Sequence, residues 1–182
     1  MPVRARQLSV VPGEPPTKLR EAGHAWLAHL RAEGRSVKTL YDRERNLIVR
    51  VMGEAGLRAS EVTAVGEQDL LELPGGRHQL RVIGKGNKER LVSLPPDLGR
   101  ELRRFLRRRP GAGRIFLSRV RARGDYQPLD KNALTHMVER LGKTAEIPKP
   151  VHPHVLRHTF ATRAAAQGVN PTMLADQLGH TP

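Results

Sequence analysis

Cysteine is absent from this 182-residue chain, which excludes disulfides and thiolate metal sites and favours a reducing compartment. No apolar run approaches the ~18 residues that a membrane span requires. The basic residues near Met1 are not followed by the apolar block of a secretory signal. We therefore expect a soluble, cytoplasmic protein. Aromatic residues are also scarce, at 3%, which argues against binding single strands through bases stacked on aromatic rings.

Positive charge is what the chain has in excess. Its 32 lysines and arginines outnumber 18 acidic residues, which gives a formal net charge of +14. A base bias that favours arginine codons would explain many arginines, but it would not explain the imbalance. Such an excess favours a polyanionic partner. Double-stranded DNA held through its phosphates fits the scarcity of aromatics.

The hydrophobic periodicity predicts a mainly α-helical α+β fold with one small antiparallel sheet. Residues 1–18 are predicted to be an extended lead-in, and a single domain is expected over 19–182. Alternating residues between 70 and 94, with turns at 74–76 and 84–87, predict three strands. A basic loop is predicted over 118–128. Helices are predicted over 17–34, 40–56, 98–106, 131–144, 153–167 and 171–178.

The helix that begins at Pro153 carries the first candidate site. At 100° per residue, one of its faces presents His154, Arg157 and His158, and the opposite face is apolar. His154 lies in the first turn, where the helix dipole favours an anion. This polar face is either solvated or part of a phosphate site. The spacing of the two histidines also suits a metal, but no carboxylate or thiolate ligand is nearby, so we expect none.

The segment Gly-Lys-Gly-Asn-Lys-Glu-Arg at 84–90 is a second candidate. It lacks the spacing of a nucleotide-binding P-loop, and a strand follows it instead of a helix. A plain hairpin turn explains the glycines but not the cations at and beside its tip, which are Lys85, Lys88 and Arg90. A hairpin that lays a lysine against a DNA phosphate would explain both.

A third candidate is Gly-Leu-Arg-Ala-Ser-Glu at 56–61. Arg58 lies in the tight connection that leads from the helix over 40–56 to the next one, whose range the pattern does not give. Two interpretations stay open: Arg58 and Glu61 form a helix cap, or Glu61 holds Arg58 in place for a ligand.

Together these segments resemble the tyrosine recombinase (phage integrase) family. The matching motifs are GLRASE at 56–61, VIGKGNKER at 82–90, HVLRHTFAT at 154–162 and LGH at 178–180, in the family's order. The resemblance runs from about Leu19 to the last residue. It points to the bacterial chromosome-dimer-resolving recombinases in particular.

The resemblance implies a role for each matching residue. Arg58 and Arg157 would clamp the scissile phosphate, and Lys85 would protonate the leaving 5′-oxygen. His154 would act in acid–base transfer at the nucleophile, and His180 would donate a hydrogen bond to the phosphate. Candidate DNA contacts beside them are Lys88, Arg90 and His158.

The implied function is site-specific DNA recombination, in which strands are cut and rejoined through a phosphotyrosyl intermediate without metal or cofactor. The implied partners are double-stranded DNA and other recombinase subunits in a synaptic complex, with no membrane and no small-molecule substrate.

Two departures from the family pattern bear on activity. The family's N-terminal DNA-clamping domain is not expected within residues 1–18. The nucleophilic tyrosine should follow the motif at 178–180, and neither Tyr41 nor Tyr126 occupies that place. We therefore expect that this sequence alone does not cleave DNA. A non-catalytic module that binds duplex DNA is the alternative, and a basic helical adaptor without a DNA role would have to treat four ordered motifs as coincidence.

Overall fold

A computed structural model of the chain describes residues 38–107, 113–119 and 126–179. In these residues the helices are Lys38–Gly53 (α1), Ala59–Ala64 (α2), Pro96–Arg107 (α3), Lys131–Thr144 (α4), Pro153–Ala166 (α5) and Pro171–Leu178 (α6). The strands are Leu70–Leu73 (β1), Arg77–Ile83 (β2), Glu89–Ser93 (β3), Leu117–Arg119 (β4) and Tyr126–Pro128 (β5). The predicted fold class is confirmed. The lead-in and the helix predicted over 17–34 lie outside the described residues.

The strands β1, β2 and β3 form the predicted antiparallel sheet, in that order. Leu70 pairs with Leu80, and Leu80 pairs with Val92. The first turn needs positive φ at Gly75 and Gly76 (79° and 69°), and this explains the two adjacent glycines. The second turn, at 84–87, carries the candidate lysine hairpin.

The sheet is packed against helices at one face and at one edge, and β2 does not alternate strictly between buried and exposed residues. His78, Gln79 and Leu80 are all buried. A Cβ built on Gly99 of α3 would lie 2.5 Å from the His78 Cβ, so α3 packs directly on one face. At the edge of the sheet, the Gln177 Oε1 of α6 accepts a hydrogen bond from the Ser93 backbone N–H of β3 at 3.2 Å. This packing brings the end of α6 to β3.

The region predicted as a basic loop contains a second, two-stranded sheet. Leu117 pairs with Pro128, and Ser118 pairs with Gln127. Strands of three residues are too short to show an alternating pattern, so the sequence could not reveal them. A tertiary contact helps to fix β4, because the buried Glu44 Oε1 accepts a hydrogen bond from the Leu117 N–H at 2.6 Å.

The hydrophobic core is built around α1, which packs against α3 and α5. Four members of its predicted apolar stripe are almost completely buried: Leu47, Ile48, Val51 and Met52. The predicted end of this helix is three residues too late, because α1 ends at Gly53. Among the residues described, no helix has the length and apolar character that crossing a bilayer requires.

The C-terminal helices begin and end as predicted. Pro153 and Pro171 occupy the first turns of α5 and α6, and the Asn170 side chain caps α6 by accepting from the Thr172 N–H at 2.9 Å. Gly179 then takes the left-handed conformation, with φ of 63°, and terminates α6.

Candidate functional site

Arg58 is positioned by a tight turn at the end of the α1 region. Gly56 has φ of 74°, and a Cβ at this position would lie 2.6 Å from the Phe160 Cδ1 of α5. Only glycine lets the backbone pass this close to α5 in that conformation. The chain then enters α2, with Arg58 as its N-cap residue.

Glu61 makes the contacts that both interpretations of the segment 56–61 require of it, and the ligand stays a prediction. The Arg58 backbone N–H donates to Glu61 Oε2 at 2.7 Å, which is a helix-capping contact. The Arg58 Nη1 donates to Glu61 Oε1 at 2.8 Å, so the same carboxylate also orients the guanidinium.

Glu61 also binds a second guanidinium and lies close to a third. Arg90 Nη1 and Nη2 donate to its two carboxylate oxygens at 2.8 and 2.9 Å, and Arg157 Nη1 lies 4.0 Å from Oε2. The Glu61 side chain is only 2% exposed. Burial raises the pKa of Glu61, but the hydrogen bonds from Arg90 and Arg58 outweigh it, and the pKa is lowered. Glu61 is therefore an ionised carboxylate at neutral pH.

Arg157 lies on the buried face of α5, whereas the sequence predicts it on a polar face with His154 and His158. Its side chain is 7% exposed, while both histidines are exposed. Arg157 Nη1 donates to the Gly56 carbonyl and Nη2 to the Leu178 carbonyl. These acceptors and Glu61 satisfy a guanidinium that burial would otherwise destabilise.

The pKa of Arg157 shows the balance of forces on this buried charge. Burial lowers it, repulsion from Arg58 and Arg90 lowers it further, and Glu61 partly offsets them. The result is a pKa of about 10. Arg157 is therefore still a cation at neutral pH. We call Arg58, Arg90 and Arg157, gathered around Glu61, the arginine cluster.

The C-terminal end of α6 completes the arginine cluster. Its successive carbonyls accept one guanidinium each: Gln177 from Arg90 Nε at 3.1 Å, Leu178 from Arg157, and Gly179 from Arg58 Nη2 at 3.2 Å. The last carbonyls of a helix have no partner within the helix and carry partial negative charge. The partial negative charge at the helix end thus offsets some of the excess positive charge of the three guanidiniums.

Gln177 is a site residue that the sequence analysis missed. Its side-chain amide donates to the carbonyls of Ala55 and Ser93 at 3.3 and 3.1 Å, so it ties α6 to the turn before Arg58 and to β3. Its burial could have been predicted because Gln177 is adjacent to Leu178, and the apolar side of the short helix α6 must face the core.

The arginine cluster can bind an anion. Three positive side chains face a single carboxylate, which leaves two charges uncompensated by side chains within the cluster. Arg58 is the most open member, with 33% of its side chain exposed against 12% for Arg90 and 7% for Arg157. A guanidinium fork that is partly exposed and backed by further positive charge suits a phosphate oxygen.

The other predicted site residues lie on the 84–87 hairpin, on β3 and on α5, or outside the described residues. Lys85 is in the 84–87 turn, and Lys88 is exposed on the same hairpin. Arg90, predicted as a DNA contact, has donors turned inward to Glu61 and Gln177. His154 and His158 are exposed on α5. The side chain of Lys85 and the whole of His180 lie outside the described part.

A histidine of the described residues lies beside a carboxylate. His152 Nδ1 lies 3.1 Å from Glu139 Oε1. In the ranges that the structure covers, no group of three or more His, Asp or Glu side chains is placed to hold a metal ion.

Comparison with known proteins gives one family match and a consistent set of relatives. The model of the phage integrase family matches residues 27–182. The chain is 32% identical over 140 residues to tyrosine recombinase XerC of Pelobacter propionicus, covering 77% of this chain and 45% of the relative. It is 35% identical over 145 residues to tyrosine recombinase XerD of Ralstonia nicotianae, covering 76% and 44%. The chain thus spans less than half the length of these relatives.

Solved structures agree on the fold. The crystal structure of XerA recombinase superposes with a TM-score of 0.64 at 28% identity, over 78% of this chain and 51% of that one. The structure of XerH site-specific recombinase, described as a post-cleavage complex bound to its difH substrate, gives a TM-score of 0.69 at 22% identity, over 91% and 44%.

Proposed function

This chain belongs to the phage integrase family of tyrosine recombinases, and on that premise we propose that it supplies the phosphate-activating site for site-specific recombination of double-stranded DNA. The observation that carries the proposal is the arginine cluster, in which Arg58 and Arg157 meet at one buried carboxylate although they are 99 positions apart in sequence. A buried excess of guanidinium charge has its simplest use in binding a phosphate.

The proposed chemistry is a phosphoryl transfer between DNA and a tyrosine. A tyrosine oxygen attacks the scissile phosphorus, a phosphotyrosyl bond forms, and the bond to the 5′-oxygen breaks. The leaving oxygen takes a proton from Lys85, at the tip of the 84–87 hairpin. The reverse attack, by the 5′-hydroxyl of another strand, releases the tyrosine and rejoins the DNA. We place the tyrosine beyond His180 and not at Tyr41, in α1, or Tyr126, in β5.

Arg58 and Arg157 stabilise the negative charge that builds up on the phosphate oxygens in the transition state. Fixed donors in a site shielded from water are effective because they need little reorganisation during the reaction. The contacts to Glu61 and to α6 supply this rigidity. Arg58, the more exposed of the two, would meet the incoming phosphate first.

His154 and His180 complete the proposed catalytic set. His154, in the first turn of α5, would accept the proton of the attacking tyrosine hydroxyl and return it when the DNA is rejoined. His180 would donate a hydrogen bond to the phosphate. Lys88 and His158 would contact the DNA backbone near them. In the whole protein we propose that further recombinase subunits assemble on the DNA, in the cytoplasm.

Salt dependence of duplex binding tests the proposal. Affinity should fall with salt by about 0.9 in log–log slope for each phosphate neutralised. Arg58→Gln should make that slope shallower by about 0.9, the contribution of one phosphate contact. Arg103→Gln is the matched control, since Arg103 is exposed and its ionic partner is Glu72, at 3.7 Å. A salt-independent affinity, or equal losses in the two variants, would remove the proposed phosphate site.

A further inference from the structure

We propose that Arg90 is a positioning residue of this site, which holds Arg58 and the end of α6 in place, and that it is not a contact to DNA. The inference rests on the proposed function only for the identity of the anion. Its geometric part concerns the protein alone. Arg90 belongs to β3, where Val92, two residues later, is buried. Strand alternation therefore turns Arg90 toward the interior.

All three nitrogens of the Arg90 guanidinium donate hydrogen bonds within the protein. Nη1 and Nη2 donate to the two oxygens of Glu61, and Nε donates to the Gln177 carbonyl at 3.1 Å. Its side chain is 12% exposed. A paired, charge-assisted contact with a carboxylate is geometrically specific as well as strong. Reaching a DNA phosphate would require breaking these contacts in the interior.

Two glycines flank the same guanidinium. A Cβ at Gly179 would lie 3.0 Å from Arg90 Nη1, and a Cβ at Gly84 would lie 3.4 Å from it. Gly84 begins the hairpin turn, where its N–H donates to the Lys88 carbonyl at 2.8 Å. Arg90 thus packs against the base of the lysine hairpin on one side and the residue before His180 on the other.

Arg90 therefore joins the segments that carry the proposed catalytic residues. Through Glu61 it reaches Arg58, through Gln177 and Gly179 it reaches the end of α6, and through Gly84 it reaches the hairpin. Without Arg90, Glu61 would keep Arg58 and Arg157 as its only neighbouring guanidiniums in the cluster. The carboxylate would then be free to turn toward them and would compete more strongly with a phosphate.

A lysine at position 90 separates positioning from simple charge. Arg90→Lys keeps the positive charge but cannot make two parallel bonds to a carboxylate and a third to a carbonyl. If Arg90 acted as a point charge near DNA, lysine would replace it with little loss. If Arg90 positions the cluster, lysine should fail to rescue the site.

The experiment follows the Nε–H signals of Arg58 and Arg90 by NMR, in ¹⁵N-labelled full chain titrated with inorganic phosphate. The variants are Arg90→Lys and Arg90→Gln, and the latter removes the guanidinium without placing another cation in the interior. The control is Lys88→Gln, which removes an exposed charge from the same hairpin.

We expect the Arg58 signal of the phosphate-free protein to move in Arg90→Lys and Arg90→Gln, and to stay in place in Lys88→Gln. Phosphate should shift Arg58 but not Arg90 in the unmodified chain. Both variants should need about tenfold more phosphate, the effect of one lost charge-assisted hydrogen bond. Arg90→Gln keeps the test decisive if Arg90→Lys does not fold, because it leaves no unpaired lysine in the interior.

An Arg58 signal that is the same in Arg90→Lys and the unmodified chain would overturn the positioning role, as would full phosphate affinity in that variant. If phosphate leaves Arg58 of the unmodified chain unmoved, the proposed function fails instead. The positioning role is then still decided by the phosphate-free spectra.

Discussion

Two ion clusters in the described part of the chain are near mirror images in charge. In the arginine cluster, three guanidiniums surround the carboxylate of Glu61. In the second, which we call the carboxylate cluster, three carboxylates surround one guanidinium. Arg50 donates to Glu54 at 3.0 and 2.9 Å, to Glu101 at 2.7 Å and to Asp97 at 2.5 Å.

The two clusters differ in how their excess charge is accommodated. Asp97 and Glu101 are 56% and 39% exposed, so water solvates the excess negative charge. Burial lowers the pKa of Arg50, but its bonds to Glu54 and Asp97 outweigh this and raise it. This cluster joins α1 to α3. Arg90 and Arg157 have little access to water, so helix carbonyls take up part of their charge and an anion can neutralise the rest. An unbalanced cluster therefore suggests a ligand only where it is buried.

Removing the central residue should separate the clusters most clearly. Glu61→Gln leaves three guanidiniums without a counter-charge and should cost about 3–5 kcal/mol of unfolding free energy, as loss of one partner of a buried ion pair does. Glu101→Gln, in the carboxylate cluster, should cost less than about 1 kcal/mol, because its charge is partly solvated. Urea unfolding of the two variants measures both values. Comparable losses would show that burial does not distinguish the clusters.

The backbone beside each cluster gives the next contrast. Gly56→Ala should destabilise by about 2–4 kcal/mol, combining a left-handed conformation with a clash against Phe160. Gly53, at the end of α1, has nothing within 4 Å of an added Cβ. Gly53→Ala should therefore be neutral or stabilise by up to about 1 kcal/mol. Thermal unfolding distinguishes them, and a mild effect of Gly56→Ala would mean that α5 can move away.

Acid should weaken the arginine cluster through Glu61. Its pKa is lowered from the ordinary value of 4.5, so the stability it contributes is complete above that pH and is lost as pH falls through the folded-state value. The difference in unfolding free energy between the wild type and Glu61→Gln should be constant from pH 7 to about 5. This difference in unfolding free energy should become smaller as the pH is lowered further, because Glu61 becomes protonated. The difference is measured by urea unfolding at a series of pH values, and one that widened in acid would contradict the lowered pKa.

Salt should give the smallest effect. The pKa of Asp97 is also lowered, because Arg50 outweighs the effect of burial, yet its side chain is mostly exposed. Asp97→Asn should cost a few tenths of a kcal/mol to about 1 kcal/mol at low salt and less at 1 M, where charges are screened beyond about 3 Å. The cost of Glu61→Gln should change little over the same range. Chloride-dependent urea unfolding checks both, and equal salt sensitivity would contradict the difference in burial.

Local signals in the sequence predicted most of the elements. The glycines at 75 and 76, the cap at Asn170 and the prolines at 153 and 171 mark turns and helix ends through backbone preferences that act over a few residues. The strands β4 and β5 were missed because pairing partners 7 to 11 residues apart, in strands of three, leave no periodic pattern.

The candidate site was predicted only in part, because local motifs identify some of its residues and not the contacts between them. The motifs identified Arg58 and Arg157, and Glu61 was already one interpretation of the capping segment. The inward direction of Arg90 could have been predicted from its alternation with Val92. We instead predicted Arg90 at the surface because of its positive charge, since most arginines are exposed.

The sequence by itself determined most of the described helices, the hairpin, the charge excess and the family, because each depends on residue type and short-range spacing. Only the tertiary structure decided which groups bind the guanidiniums of Arg90 and Arg157 in the interior. Their acceptors are distant in sequence: Glu61 lies 29 residues from Arg90, and the Gln177 carbonyl lies 87 residues from it. A buried charge is stable only where folding brings such partners together, and no local pattern records that encounter.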